Sequence, residues 1–217
     1  MKKLLLSFLA LTLSFGVVAQ ENDTNFTVLE IVTDFAILEI VTDDNFGKIS
    51  FATDSTWTIG SQIWSDAVQT SVCNNKTTFL GNSADCRSNP NHKGDLFSFN
   101  AVSEFKYELC PYPWRVPTKQ DFIDLDITLG GNGNLRSDME IISSKYLNSA
   151  VWGGAYGGFC LSGGWLSNQG TEAVYWSQSE YLSNGGYCLT FGDGGGISPQ
   201  GWDYKDMGFS LRCVRDK

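Results

Sequence analysis

The stretch Cys110–Leu125, CPYPWRVPTKQDFIDL, constrains the fold more than any other part of this 217-residue chain. Pro117 disfavours helical backbone before it, and Thr118 is a good N-cap whose hydroxyl can accept a free backbone N–H. Asp121 follows three residues later, where a carboxylate completes a capping box at the positive end of the helix dipole. The stretch therefore predicts a helix that begins after Thr118 and ends near Gly130, close to a cysteine available for a cross-link.

The first residues have the pattern of a secretory signal peptide. Lys2 and Lys3 form a basic region, an apolar run extends from Leu4 to Val18, and the small residue Ala19 favours cleavage after it. We therefore expect residues 1–19 to be removed, leaving a chain without a transmembrane segment that is secreted or held at the cell surface. A periplasmic and a fully extracellular location both remain open.

Charge and composition exclude several function classes. The chain has a formal net charge of −9 and a single histidine. Nucleic acids and anionic membrane surfaces bind basic patches, so neither is an expected partner. One histidine also removes most routes to His-dependent catalysis and metal binding, so we expect no cofactor and no metal site.

Six cysteines lie at positions 73, 86, 110, 160, 188 and 213. An even number of cysteines in an exported chain predicts three disulfides, and six cysteines allow fifteen pairings. A Cys73–Cys86 disulfide would pin the loop-rich segment 73–100. Thiol catalysis is disfavoured, because no histidine lies nearby to activate a cysteine.

A short duplication precedes the main domain. The sequence LEIVTD occurs at Leu29–Asp34 and again at Leu38–Asp43, with apolar and polar residues alternating as in a half-buried strand. We interpret residues 20–44 as an N-terminal extension and residues 45–217 as the main domain. One copy could pair at a sheet edge, or add a strand to a partner protein.

The rest of the chain is typical of an α+β domain with long loops. Ser65 could cap a short helix through Val68, residues 151–170 form a Gly-rich irregular segment, and Trp202–Tyr204 form an aromatic loop. Three later segments are predicted strands: Val174–Trp176, Gly186–Phe191 and Gly208–Val214.

Four motifs carry a resemblance to a known family. They are TIGSQIW at Thr58–Trp64, CPYPWRVPT at Cys110–Thr118, YWSQSEY at Tyr175–Tyr181 and GFSLRCVRD at Gly208–Asp216. In this order they resemble the Fibrobacter succinogenes major paralogous domain, a family of exported bacterial proteins, from about residue 48 onward. The resemblance implies a C-type lectin-like α+β fold: a twisted antiparallel sheet, one or two helices and long Gly-rich loops, stapled by disulfides.

The resemblance also implies how the cysteines pair. Lectin-like domains are closed by a disulfide to the final strand, a role that Cys110 and Cys213 fit, which leaves Cys160 to pair with Cys188. The calcium and sugar signatures Glu-Pro-Asn, Gln-Pro-Asp and Trp-Asn-Asp do not occur in the sequence, so calcium-dependent sugar binding is not expected.

Three classes of function are compatible with the sequence. The preferred one is a non-enzymatic binding module for an extracellular glycan or surface protein, and the second is an adhesion subunit that assembles through its N-terminal strand. The third is an enzyme, either an oxidase with a redox-active thiol pair or a hydrolase with paired carboxylates. Carboxylates for the hydrolase would come from Glu104, Asp121, Asp124 and Glu180.

The candidate binding residues lie in two aromatic segments. Aromatic rings next to carboxylates suit a sugar, which presents hydroxyls around apolar ring faces, and loops on a rigid scaffold commonly carry binding. The alternative is that Trp202 fills the core under the closing strand. We expect one recognition surface formed by six residues: Tyr156, Trp165, Trp202, Asp203, Tyr204 and Asp206.

Overall fold

The computed structural model of the chain describes residues 49–50, 55–70, 73, 84–134, 145–147, 149–193 and 196–217. The helices in this part are α1 Phe99–Glu104, α2 Lys106–Leu109 and α3 Lys119–Leu129. The strands are β1 Ile49–Ser50, β2 Trp57–Ile59, β3 Gln62–Ala67, β4 Gln69–Thr70, β5 Cys86–Arg87, β6 Leu96–Ser98, β7 Phe159–Cys160, β8 Leu166–Ser167, β9 Glu172–Tyr181, β10 Gly185–Gly192, β11 Ile197–Tyr204, β12 Gly208–Phe209 and β13 Arg212–Asp216.

The strands form small sheets, and the ladders between the strands named above are all antiparallel. The orders are β13-β3-β2, β11-β10-β9 and β5-β6-β12-β7-β8, with β1 paired to β4. The last strand, β13, pairs with β3 near the start of the domain, so the two ends of the domain meet in one sheet. The fold is mixed α+β, mostly antiparallel sheet with few helices, as the sequence predicts at that level.

The helix predicted from the stretch Cys110–Leu125 is confirmed. Thr118 is the N-cap of α3, and its hydroxyl accepts the N–H of Asp121 while the Asp121 carboxylate accepts the N–H of Thr118. Gly130 closes the helix in the left-handed conformation, with φ of 101°, a backbone geometry that favours glycine. Arg115 grips the same Asp121 carboxylate through two bonds of 2.6 and 2.8 Å.

The main core is an aromatic cluster between α3 and the sheets. Trp64 of β3 stacks on Phe122 of α3 with ring centroids 5.6 Å apart, and meets Trp152 edge-on at 5.9 Å. Trp152 in turn meets Tyr175 and Phe191 of the β11-β10-β9 sheet. This packing fixes the sheet from one side, so its other side is held as a rigid surface.

Two of the three predicted disulfides are present. Cys73 bonds to Cys86 and Cys110 bonds to Cys213, which joins α2 to the final strand. The predicted Cys160–Cys188 disulfide is wrong, because both residues are free and buried thiols.

The two thiols belong to different sheets. Cys160 lies in β7 and packs with Leu96 and Leu166, whereas Cys188 lies in the middle of β10. The sulfur of Cys188 sits over the adjacent strand, 3.4 Å from the position that a Cβ on Gly201 would take. Each cysteine is thus packed by its own sheet.

Two local predictions are wrong for a common reason. Residues 65–67 belong to strand β3 instead of a short helix, because β3 pairs with β13 on one side and β2 on the other. Trp202–Tyr204 belong to strand β11 instead of a loop, because β11 pairs with β10 along Gly185–Cys188. In both places pairing with a distant strand overrides the local signal.

Several predictions fall outside the described residues. They are the signal peptide 1–19, the extension 20–44 with its Leu29–Asp34 and Leu38–Asp43 repeat, and the domain start near Asn45. They remain predictions. In the part of the chain that the structure describes, no helix is long and apolar enough to cross a membrane.

Candidate ligand-binding groove

The β11-β10-β9 sheet has one face in the aromatic core and its other face beside strands β7 and β12. Leu189, Phe191 and Ile197 are buried in the aromatic core. Because neighbours along a strand point to opposite sides, Cys188 and Thr190 of β10 face away from that core. Their partners across the ladder to β9 are Trp176 and Val174.

A cavity of about 760 Å³ lies along this outer face, and we call it the groove. Its walls come from β9, β10 and β11 together with β7 and β12 of the five-stranded sheet. It is lined by Phe159, Glu172, Val174, Cys188, Thr190, Gly192, Gly196, Ile197, Ser198, Gly201, Trp202, Asp203 and Phe209. Its volume falls within the range of small-molecule sites.

Glycines keep the groove open. Gly192, Gly196 and Gly201 line it without side chains. A Cβ on Gly201 would approach the carbonyl oxygen of Cys188 to 3.1 Å, whereas a Cβ on Gly196 would meet no atom within 4 Å. A side chain introduced at Gly196 would therefore have room in the folded protein.

The apolar wall is rigidly supported. Phe159 and Phe209 meet edge-to-face with centroids 6.1 Å apart. Phe209 also packs on Trp176 at 4.2 Å, and the indole N–H of Trp176 donates to the carbonyl of Phe97 at 2.8 Å. That hydrogen bond ties the wall to β6 across the sheet.

The polar part of the groove is acidic. Burial raises the pKa of the Asp203 carboxyl, the backbone N–H of Tyr204 lowers it, and the nearby carboxylates of Asp206 and Glu172 raise it further. Glu172 accepts a hydrogen bond from the side chain of Asn168 at 2.7 Å. Among the lining residues that the structure describes there is no Lys, Arg or His.

The free thiols are not activated. Burial raises the pKa of Cys188 well above the usual value, and Asp203 and Glu172 raise it further. Burial raises the pKa of Cys160 to about 11. Because the thiolate is the nucleophile, neither cysteine has the environment of a reactive thiol.

The structure brings only some of the predicted binding residues together. Trp202 and Asp203 line the groove, and Asp206 lies close enough to Asp203 to raise its pKa. The ring of Trp202 stacks on Tyr181 with centroids 4.4 Å apart and is 44% exposed, so it does not fill the core. Tyr204 is exposed and meets Trp202 edge-on at 6.1 Å.

The other two predicted residues lie elsewhere. Tyr156 packs against Phe191 on the core side of the sheet, and burial raises its pKa. Trp165 is 75% exposed beside β8, on the hairpin that β7 and β8 form, and is not among the lining residues. From the Gly-rich segment 151–170 it is Phe159, not Tyr156 or Trp165, that reaches the groove.

Sequence reasoning missed Phe159, Glu172, Thr190 and Ser198. Thr190 was recognisable in principle, since its side chain alternates with the core residues Leu189 and Phe191 along β10. Phe159 and Glu172 carried no local signal, because their place in the groove depends on how β7 and β9 are brought together.

The carboxylates considered for hydrolysis are mostly engaged elsewhere. Asp121 binds Arg115, Asp124 accepts from Gln120 at 2.8 Å, and Glu180 binds Lys205 at 2.8 Å. Glu104 is exposed on α1. Within the described ranges there is no group of three or more His, Cys, Asp or Glu that could hold a metal ion.

Comparisons with protein-family models, curated proteins and solved structures found no match for the chain.

Proposed function

We propose that this chain is an exported, non-enzymatic binding module that holds a glycan in the groove. The observation that carries the proposal is the groove itself: a cavity of about 760 Å³ between the outer face of the β11-β10-β9 sheet and the strands β7 and β12. Phe159, which Phe209 supports from behind, offers an apolar ring contact, while Thr190 and Ser198 offer hydroxyls. Sugars present this combination of apolar faces and hydroxyls.

Electrostatics favour a ligand without negative charge. Glu172 and Asp203 line the groove, and the whole chain carries a formal net charge of −9. Phosphate groups and nucleic acids require positive charge in their sites. A glycan that is neutral or positively charged avoids the repulsion.

Binding without chemistry is the simplest use of these residues. The two free thiols have raised pKa values, which disfavours redox or nucleophilic thiol chemistry. Asp121, Asp124 and Glu180 are held by neighbouring side chains outside the groove. Glu172 and Asp203 are left as hydrogen-bond acceptors for a ligand.

We also propose that the domain is C-type lectin-like and related to the Fibrobacter succinogenes major paralogous domain. Support comes from the Cys110–Cys213 disulfide, which joins α2 to the final strand, and from the pairing of β13 with β3. Two disulfides are typical of proteins that fold in an oxidising compartment, which agrees with export.

A variant that fills the groove tests the proposed function. Gly196→Phe places a ring where a Cβ meets no atom within 4 Å, so the fold should tolerate it while the groove is blocked. Ser162→Phe, at an exposed turn outside the lining, adds the same ring as a control. In pull-downs with insoluble polysaccharides and on glycan arrays, we expect wild type and Ser162→Phe to bind alike, and Gly196→Phe to lose about tenfold or more in affinity.

Three outcomes would contradict the proposal. They are no glycan binding by the wild type, equal binding by a folded Gly196→Phe variant, and release of new reducing ends from a bound glycan, which would indicate a hydrolase.

A further inference from the structure

We infer that the ligand of the groove is an amino sugar with a free ammonium group, as in a chain of glucosamine units. This inference rests on the proposed function and deepens it, because it selects a positively charged glycan over its neutral, N-acetylated counterpart. It is carried by the charges that line the cavity and by the glycines in its lining.

The first support is that two carboxylates line the cavity and that no basic residue occurs among the lining residues that the structure describes. Asp203 accepts the backbone N–H of Tyr204 at 2.8 Å, and Glu172 accepts the amide of Asn168 at 2.7 Å. Neither bond brings a positive charge to its carboxylate. A carboxylate has about four acceptor positions, so each retains capacity for a ligand.

The second support is that these carboxylates repel each other. Burial is the largest cause of the raised pKa of Asp203 and of Cys188. Asp206 and Glu172 raise the pKa of Asp203 further, and Asp203 and Glu172 raise that of Cys188 further. A positive charge bound in the groove would relieve this repulsion. Charge-assisted hydrogen bonds from an ammonium to carboxylates are also stronger than neutral ones.

The third support distinguishes an amino sugar from a metal ion. Calcium takes about six to eight oxygen ligands, usually with several converging carboxylates. In the described part of the chain there is no group of three or more His, Cys, Asp or Glu residues arranged so that it could hold a metal ion. Phe159, Thr190 and Ser198 instead offer an apolar face and hydroxyls beside the carboxylates, which match a pyranose ring that carries an ammonium group.

The glycines that line the groove support the same ligand. Gly192, Gly196 and Gly201 line the groove without side chains, and a Cβ on Gly196 would meet no atom within 4 Å, so a flat ring can approach the backbone at Gly196. A lone ammonium on a flexible chain, such as a lysine side chain, would need the carboxylates but would not need backbone that is free of side chains.

Isothermal titration of the mature protein with glucosamine hexamer and with N-acetylglucosamine hexamer tests the inference. We expect the glucosamine hexamer to bind about tenfold more tightly, with an affinity that falls as NaCl is raised. Glu172→Gln and Asp203→Asn should each lower that affinity about tenfold and lower the affinity for the acetylated hexamer by less, so that the preference for glucosamine becomes smaller. Glu104→Gln removes the same charge from exposed α1 and should bind like the wild type.

Thermal unfolding separates loss of binding from loss of folding. Because Asp203 is repelled by neighbouring carboxylates, Asp203→Asn should melt at or above the wild-type temperature while it binds glucosamine less tightly. A merely structural role for Asp203 would lower the melting temperature instead.

Each remaining outcome overturns the inference. Equal affinity for the two hexamers, unchanged affinity in both groove variants, or tighter binding of a lysine hexamer would exclude amino-sugar recognition. Binding of neutral glycans that Gly196→Phe abolishes, without preference for glucosamine, would overturn this inference and leave the proposed function standing.

Discussion

At the scale of single residues, Asp95 is a buried carboxyl whose pKa is shifted. It is 1% exposed, and burial raises its pKa from 3.8 to about 6 even though the N–H of Thr70 donates to it at 2.7 Å. In the unfolded chain the same carboxyl has its ordinary pKa. The folded protein therefore binds a proton that the unfolded chain releases between these two pH values, and ionisation of Asp95 destabilises the fold.

The sign of this effect predicts how Asp95→Asn behaves. The wild-type contribution from Asp95 is full below about pH 4 and falls by about 3 kcal/mol as pH rises through 6. Asparagine removes the charge and keeps an oxygen for Thr70. We expect Asp95→Asn to unfold like wild type at pH 4, and to be more stable by about 1 to 3 kcal/mol at pH 8. Urea unfolding at both pH values measures the difference.

Asp124→Asn is the matched control, since Asp124 is exposed on α3. Its stability relative to wild type should not change between the two pH values. A loss of stability for Asp95→Asn at pH 8 would mean that the carboxylate is stabilised by its surroundings.

At the scale of elements, α3 is held by one carboxylate with two roles. Asp121 completes the capping box with Thr118 and receives both guanidinium bonds of Arg115. Its side chain is 9% exposed. Although burial raises the pKa of Asp121, the bonds from Arg115 and Thr118 outweigh burial and lower it overall. The stabilisation is therefore present above the unfolded pKa and is lost as pH falls below it.

Replacing this carboxylate should weaken the whole helix start. Asp121→Asn keeps the size of the side chain but removes the ion pair and part of the cap. We expect a loss of about 2 to 3 kcal/mol in the free energy of unfolding at pH 7. Asp124 lies three residues further along α3 at an exposed position, and Asp124→Asn should cost less than about 0.5 kcal/mol. Similar losses in the two variants would show that the capping box contributes little.

At the scale of the whole molecule, the two disulfides close loops of very different length. Cys110–Cys213 spans 103 residues and Cys73–Cys86 spans 13. A cross-link restricts the unfolded chain more when the loop it closes is longer. Cys110–Cys213 also joins α2 to β13, which pairs with β3 near the start of the domain.

Removing each disulfide in turn should show this difference. We expect Cys110→Ala/Cys213→Ala to lose about 4 to 5 kcal/mol and Cys73→Ala/Cys86→Ala about 3 kcal/mol, both measured by urea unfolding without reductant. Thiol titration of the unfolded, unreduced wild type should find two thiols, from Cys160 and Cys188. An equal loss in the two variants would contradict the loop-length argument. If the titration found no thiols, Cys160 and Cys188 would have to be disulfide-bonded after all.

The sequence by itself determined what depends on neighbours along the chain. Helix α3 was predictable because its cap, its first-turn carboxylate and its closing glycine lie within Thr118–Gly130. The Cys73–Cys86 disulfide was predictable because the loop that it closes is short. Charge and the single histidine also restricted the classes of ligand, since composition does not depend on the fold.

Tertiary structure decided what depends on distant segments. Residues 65–67 and Trp202–Tyr204 became strands through pairing with β13 and β10, which no local pattern encodes. Cys160 and Cys188 are free buried thiols in two different sheets, an arrangement that the spacing of the cysteines does not encode. The groove exists only because β9, β10 and β11 pair in a register that sets Glu172 and Asp203 around Cys188. Side chains that meet across a sheet are positioned by its register, and that register is set by the packed core.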